Sequence, residues 1–204
     1  MSRSEVDICN MALREISVES IASLTELSQP ARDCNLFYDT ARDDTLRAFY
    51  WNFAQKRLTL TAHEVPDEFD DYLYAYDYPG DCIKIKSLRA SGGSDEEIFE
   101  VFTSSLDERI ILTNVEEAIL EYTARVENPA RYDETFVEAL VLKLAEKLAV
   151  PLRQNPGLKS VMFQQFSLKI LEADKNNRQE RKKPQKDNYS WFNARQGITN
   201  ASGY

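Results

Sequence analysis

The chain has 204 residues, 43% of them apolar and 29% charged, with a net charge of −9. That length suits one domain, or one with an insert, and lets the chain fold without disulfides or metals. The composition excludes general disorder, and no run of about 18 apolar residues is present to make a transmembrane helix. Residues 1–7 are charged and carry no apolar core of a signal peptide, which predicts synthesis in a cytosol.

Taken in chain order, the first predicted helix covers 4–16. Ser4 can cap it, with Asp7 as a short capping box, and Val6, Cys9, Leu13 and Ile16 recur at helical spacing. A loop follows, anchored by Ile21 and Leu24. Ser28-Gln29-Pro30 opens a second helix that runs to about 49, with a stripe of Cys34, Phe37, Tyr38, Ala41, Thr45 and Ala48. Residues 57–62 alternate, with Leu58, Leu60 and Ala62 on one side, and read as one half-buried strand. The next stretch, to about 75, is acidic and poor in helix signals. Pro79-Gly80 marks a turn, residues 82–88 a strand, and Ser91-Gly92-Gly93-Ser94 a hairpin tip. Residues 98–102, 108–113 and 118–126 read as further strands; in the last, Leu120, Tyr122, Ala124 and Val126 share a face. Short strands joined by tight turns predict an antiparallel sheet.

Helical spacing returns near 134, with Phe136, Val137, Leu140, Val141, Leu144 and Leu148 on a wide apolar face that Pro151 is expected to end. Asn155-Pro156 signals the start of a last helix. Its apolar residues, Leu158, Val161, Met162, Phe163, Phe166, Leu168, Ile170 and Leu171, wrap most of the way round. A helix apolar on more than one face buries more than one face, so a second subunit is expected there, with contacts near Val161, Phe166 and Leu168. The expected architecture is α+β: a helical bundle of 1–56 and 128–186, an antiparallel β insert at 57–127, and an extended C-terminal arm at 187–204.

Few residue patterns carry chemistry. An acidic balance disfavours a protein that grips nucleic acid, because phosphate binding needs clustered cations. Cys9, Cys34 and Cys82 are odd in number and scattered without a CxxC pair, so neither a zinc site nor a disulfide framework is expected. His63 is the single histidine, at a strand end beside Glu64, where a solvated side chain is expected. No metal, cofactor or catalytic group is therefore predicted. Tyr72, Tyr74, Tyr76 and Tyr78 recur every second residue, which on an extended segment lines one face. They could stack on bases or sugars, but thirteen acids against three Lys or Arg in 64–108 favour packing against a neighbouring strand or subunit. Paired acids such as Asp43-Asp44, Asp70-Asp71 and Glu96-Glu97 would suit a glycosidase only if one had a raised pKa; solvated faces are the default. Residues 175–195 hold seven cations and two anions, +5 in an otherwise acidic chain. The run could bind nucleic acid or be the solvated end of a long helix, where cations suit the C-terminal dipole; coupled to Tyr189, Trp191, Phe192 and Arg195 it reads as a docking arm for a partner surface.

A set of segments resembles one known family. These are Ala12-Leu13-Arg14-Glu15-Ile16, Ile21-Ala22-Ser23-Leu24-Thr25-Glu26, Leu36-Phe37-Tyr38, Ala41-Arg42-Asp43-Asp44-Thr45-Leu46 and Trp51-Asn52-Phe53-Ala54. Tyr76-Asp77-Tyr78-Pro79-Gly80-Asp81-Cys82, Asn128-Pro129 and Ser190-Trp191-Phe192-Asn193-Ala194-Arg195 continue the pattern. Together they resemble the tail tubular protein A family, the head-to-tail adaptors of short-tailed bacteriophages. One departure is Ser17, where that family usually has Gly. The resemblance implies a structural virion protein: a dodecameric ring under the portal protein, joined to the tail nozzle protein around the channel through which viral DNA passes without specific binding. It also implies that the helical bundle and arm face the portal, and that the β insert with its tyrosines faces the nozzle. Alternatives are an adaptor-associated peptidoglycan hydrolase and a head-completion protein of a long-tailed phage.

Overall fold

The computed structural model of the chain describes residues 3–66, 69, 71–93 and 95–180; beyond residue 175 it describes backbone only. Local signals place the helix ends. α1, Glu5–Glu15, begins at Ser4, whose hydroxyl accepts the Asp7 N–H while the Asp7 carboxylate accepts the Ser4 N–H, a complete capping box. It closes with Ser17 in the left-handed region at φ 57, Ser17 N–H on Arg14 O and Val18 N–H on Leu13 O. Those two bonds are a Schellman motif. α2, Gln29–Ala48, starts at Ser28, whose hydroxyl accepts the Ala31 N–H. α3, Glu134–Arg153, starts at Asp133, which accepts the Phe136 N–H. α4, Pro156–Glu180, starts where Asn155 Oδ1 accepts the Leu158 N–H.

The fold class is α+β, as expected: N- and C-terminal helices pack together around an inserted, wholly antiparallel β region. α3 is the central helix and packs on α1, α2 and α4. Its Phe136 is the hub of an aromatic cluster, with Trp51, Phe53 and Tyr132 at ring centroid distances of 5.1, 5.0 and 4.8 Å. Trp51 Nε1 donates to Thr45 O at 2.8 Å and so locks the segment after α2 into that core.

The insert forms two sheets. β1 (Gln55–Thr59), β7 (Ala118–Ala124) and β4 (Cys82–Ala90) make a three-stranded sheet in the order β1-β7-β4. β2 (Ala62–His63), β3 (Tyr74–Asp77), β6 (Arg109–Thr113) and β5 (Phe99–Thr103) make a four-stranded sheet in the order β2-β3-β6-β5. Leu88, Leu120 and Tyr122 of the first bury against Tyr76 and Ile111 of the second, so the insert is a sandwich with its own core. The opposite face of the four-stranded sheet carries Ala75, Ile110 and Leu112 under Val65, Phe69 and Tyr72.

Several expectations are corrected. The single strand expected at 57–62 is two strands in different sheets. Leu60 N–H still donates to Ala118 O of the first sheet, whereas Thr61 O accepts the Asp77 N–H of the second. The chain changes sheets between them, which leaves Leu58 and Ala62 exposed and only Leu60 buried. The turn at 91–93 is likewise not a hairpin tip: β4 and β5 belong to different sheets, and Gly92, at φ +76, makes a turn that glycine accepts without strain. Pro151 does not end α3, which runs on to Arg153. In the last turn its missing N–H leaves a single helix bond unmade, and the helix closes instead on Gln154 in the left-handed region. On α2, Ala48 is exposed and Leu46 is buried in its place.

Candidate functional site

Among the described residues, the outer surface of α4 carries a line of large apolar side chains without covering from the rest of the chain. Met162, Phe166 and Ala173 turn inward and are buried against the bundle. Lys143 Nζ lies 5.2 Å from the Phe166 ring centroid, and Lys169 bridges Glu138 at 2.9 Å and Glu172 at 2.8 Å, which fastens α4 to α3. On the far side Val161, Leu168 and Leu171 are 45, 66 and 59% exposed. Their spacing of seven and three residues puts them in one stripe, the seam periodicity of helices that pack against another helix. Phe163, also exposed, lies to one side of it.

Of the three contact residues expected from sequence, Val161 and Leu168 therefore lie on this stripe, and Phe166 does not. Phe166 is 7% exposed and belongs to the bundle's core. Helical period alone cannot say which of two apolar faces meets the chain's own partner helix; Leu171 was the missing member of the stripe. Tyr189, Trp191, Phe192 and Arg195 of the expected arm lie outside the described residues.

The four tyrosines do not line one face. Tyr76 is buried between the sheets; its hydroxyl donates to Val115 O at 2.8 Å and accepts the Ala118 N–H at 3.4 Å. Tyr74 and Tyr78 pack on the same core. Arg109 lies over the Tyr78 ring at 3.8 Å, and burial pushes the Tyr78 hydroxyl up to about 12. Tyr72 packs with Phe69 on the opposite side of the sheet, because the chain turns at 71–73 before β3 begins and the two-residue alternation starts only at Tyr74. This is β-packing, with no exposed stacking platform.

Asp43, Asp44 and the histidine are held in pairs. Asp43 takes Arg42 at 3.0 Å and both Nε and Nη2 of Arg125, at 3.0 and 2.9 Å, and so ties α2 to the chain leaving β7. Asp44 takes Lys147 at 2.8 Å. Arg42 is itself buried, held by Asp39 and Asp43, an ion pair beside a stripe expected from the sequence to carry no charged residue. His63 is not solvated as expected: it is half-buried, with Nδ1 3.0 Å from Asp77 and Nε2 3.8 Å from Glu108. Cys9 and Cys34 meet in the helical core, where their mutual hydrogen bond, together with burial, holds the Cys9 thiol far above its ordinary range. Asn10, off the apolar stripe of α1, brackets the Ile21 backbone with bonds of 3.0 and 2.8 Å and anchors the loop before α2.

Among the described residues no group of three or more His, Cys, Asp or Glu is placed to hold a metal ion, and no helix is long and apolar enough to cross a membrane. No protein-family model matches the chain, and no curated protein matches it.

Proposed function

We propose that the chain is a structural head-to-tail adaptor of a short-tailed phage virion: a ring subunit, dodecameric by resemblance, that joins the portal protein to the tail nozzle protein around the DNA channel. The observation that carries this reading is the two-faced last helix. One face of α4 packs in the bundle, while Val161, Leu168 and Leu171 stay in water on the other. Each of these side chains, about half exposed, forgoes roughly half of the about 1.5–3 kcal/mol that full burial gives, and in this reading a neighbouring subunit supplies that burial. The net charge of −9 suits a conduit that passes DNA without holding it. In this reading the helical bundle and residues 187–204 face the portal, with Trp191 and Arg195 as anchors, and the β insert faces the nozzle.

Electron microscopy of the chain mixed with its portal tests the proposal: a ring on the portal's narrow end is expected, and an undecorated portal refutes it. Deleting 187–204 is expected to leave the subunit folded and to weaken attachment strongly. The hydrolase alternative requires a carboxyl held protonated near neutral pH. Among the described residues, the carboxylates that are displaced, such as Asp81 and Glu121, are displaced downward, the opposite direction. A turbidity assay on peptidoglycan separates the two readings. A head-completion protein would share the helical bundle but would not need a seven-stranded insert.

A further inference from the structure

We propose that neighbouring copies of this chain join head to tail through the β-sandwich, the cationic outer face of the three-stranded sheet of one copy meeting the acidic outer face of the four-stranded sheet of the next. The strands of the two sheets are opposite in charge. β1, β4 and β7 contain five Lys or Arg and one acid. Residues 60–81 and 91–113, which supply β2, β3, β5, β6 and their loops, contain thirteen acids and one Lys or Arg, Arg109. The separation is not complete, since Asp81 pairs with Lys56 of β1 at 2.5 Å and Glu96 lies by Tyr50, which bonds Ile85 of β4; it holds for the following outward-facing residues. On the outer side of the three-stranded sheet, Arg57, Lys86 and Arg89 converge on Glu121, at 3.8, 2.7 and 2.5 Å. One carboxylate cannot neutralise three cations, so this face stays positive. On the outer side of the four-stranded sheet, exposed Asp71, Asp77, Glu100 and Glu108 ring an apolar centre in which Phe102 is exposed.

Two identical faces brought together would set like charge on like, which excludes a two-fold dimer through either face. Opposite faces attract, and a contact between two different patches of one chain closes into a ring when its rotation fits. Only for that closure does the inference rest on the adaptor reading. A nucleic-acid backbone is the less favoured occupant of the cationic face, because the acids of the same sandwich repel it.

The test is sedimentation of the full chain at low and high salt, with two variants. Arg57→Glu/Arg89→Glu reverses one face and Asp71→Lys/Glu108→Lys the other. The wild-type chain is expected to associate at low salt, with an association constant that falls about tenfold or more towards 0.5 M salt, where the screening length is down to roughly 4 Å. Each variant alone is expected to be monomeric. Their equimolar mixture is expected to associate again, because every contact in an alternating assembly is once more between opposite charges. Thermal melts check that both variants fold; if one does not, the single changes Arg57→Glu and Glu108→Lys replace the pairs. A wild-type chain that stays monomeric at low salt, variants that associate like wild type, or a mixture without rescue overturns the inference. So does salt-sensitive retention of duplex DNA that Arg57→Glu/Arg89→Glu abolishes, which would give the cationic face to a polyanion. Portal decoration is read separately: rings on the portal that ignore the charge reversals overturn this contact and keep the adaptor, while rescued head-to-tail assembly without portal binding keeps the contact and removes the adaptor.

Discussion

Replacing Ser17 by glycine should stabilise the subunit, and the size of the gain follows from the end of α1. Ser17 sits at φ 57 and is exposed, so its side chain adds no packing that the substitution would remove. The two bonds that close the helix, Ser17 N–H to Arg14 O at 3.0 Å and Val18 N–H to Leu13 O at 2.9 Å, require that left-handed backbone. An L-residue there bears roughly 1–2 kcal/mol that glycine does not. Glycine returns about 0.4–1 kcal/mol of this through the greater freedom of the unfolded chain. The expected net gain is about 0.5–1 kcal/mol, or about 1–4 °C in Tm for a chain of this size. Ser17→Val, β-branched at positive φ, should lose more than 1 kcal/mol by the same reasoning. Urea unfolding followed by circular dichroism measures both. A glycine variant no more stable than wild type, or a valine variant equal to it, would refute the assignment of strain to this residue.

Phe136→Ala removes the hub of the aromatic cluster and should cost about 3–5 kcal/mol in the same urea titration. Phe166→Asp and Leu168→Asp should separate folding from assembly: the first buries a charge in the core and lowers stability severely, while the second leaves subunit stability within about 0.5 kcal/mol. Leu168→Asp should lower ring formation on the portal, counted by electron microscopy; unchanged rings would remove the stripe from the subunit contact. Burial opposes ionisation of Glu121, but the hydrogen bonds and charges of Lys86 and Arg89 outweigh it and hold its pKa below the ordinary value. A lowered folded-state pKa gives stability that is present above the unfolded pKa of about 4.3 and is lost as pH falls through the folded one. The stability difference between wild type and Glu121→Gln should therefore be constant near neutrality and shrink as the solution is acidified below about pH 4. A difference that does not change on acidification would contradict the pairing.

Much of the fold was legible because its signals are local. Ser4 with Asp7, Ser28 before Pro30 and Asn155 before Pro156 each satisfy the free N–H groups of a helix start within three residues, and each helix begins there. Alternation likewise marked β7, whose Ala118, Leu120, Tyr122 and Ala124 share the inner face, whereas β6 is a short apolar run buried on both faces. Tertiary structure decided which partner each apolar face meets. Leu58 and Leu60 read as one face, yet the chain crosses between sheets after Leu60, a choice made by the strands on either side and not by the segment itself. Tyr72 parted from Tyr74 because a turn reset the alternation. Arg42 entered the core because Asp39 and Asp43 neutralise it there. For α4 helical spacing alone showed that two faces are apolar. Only the packing of α3 decided that Phe166 belongs to this chain's core and that Val161, Leu168 and Leu171 are left for another, because burial depends on residues distant in sequence that no helical period records.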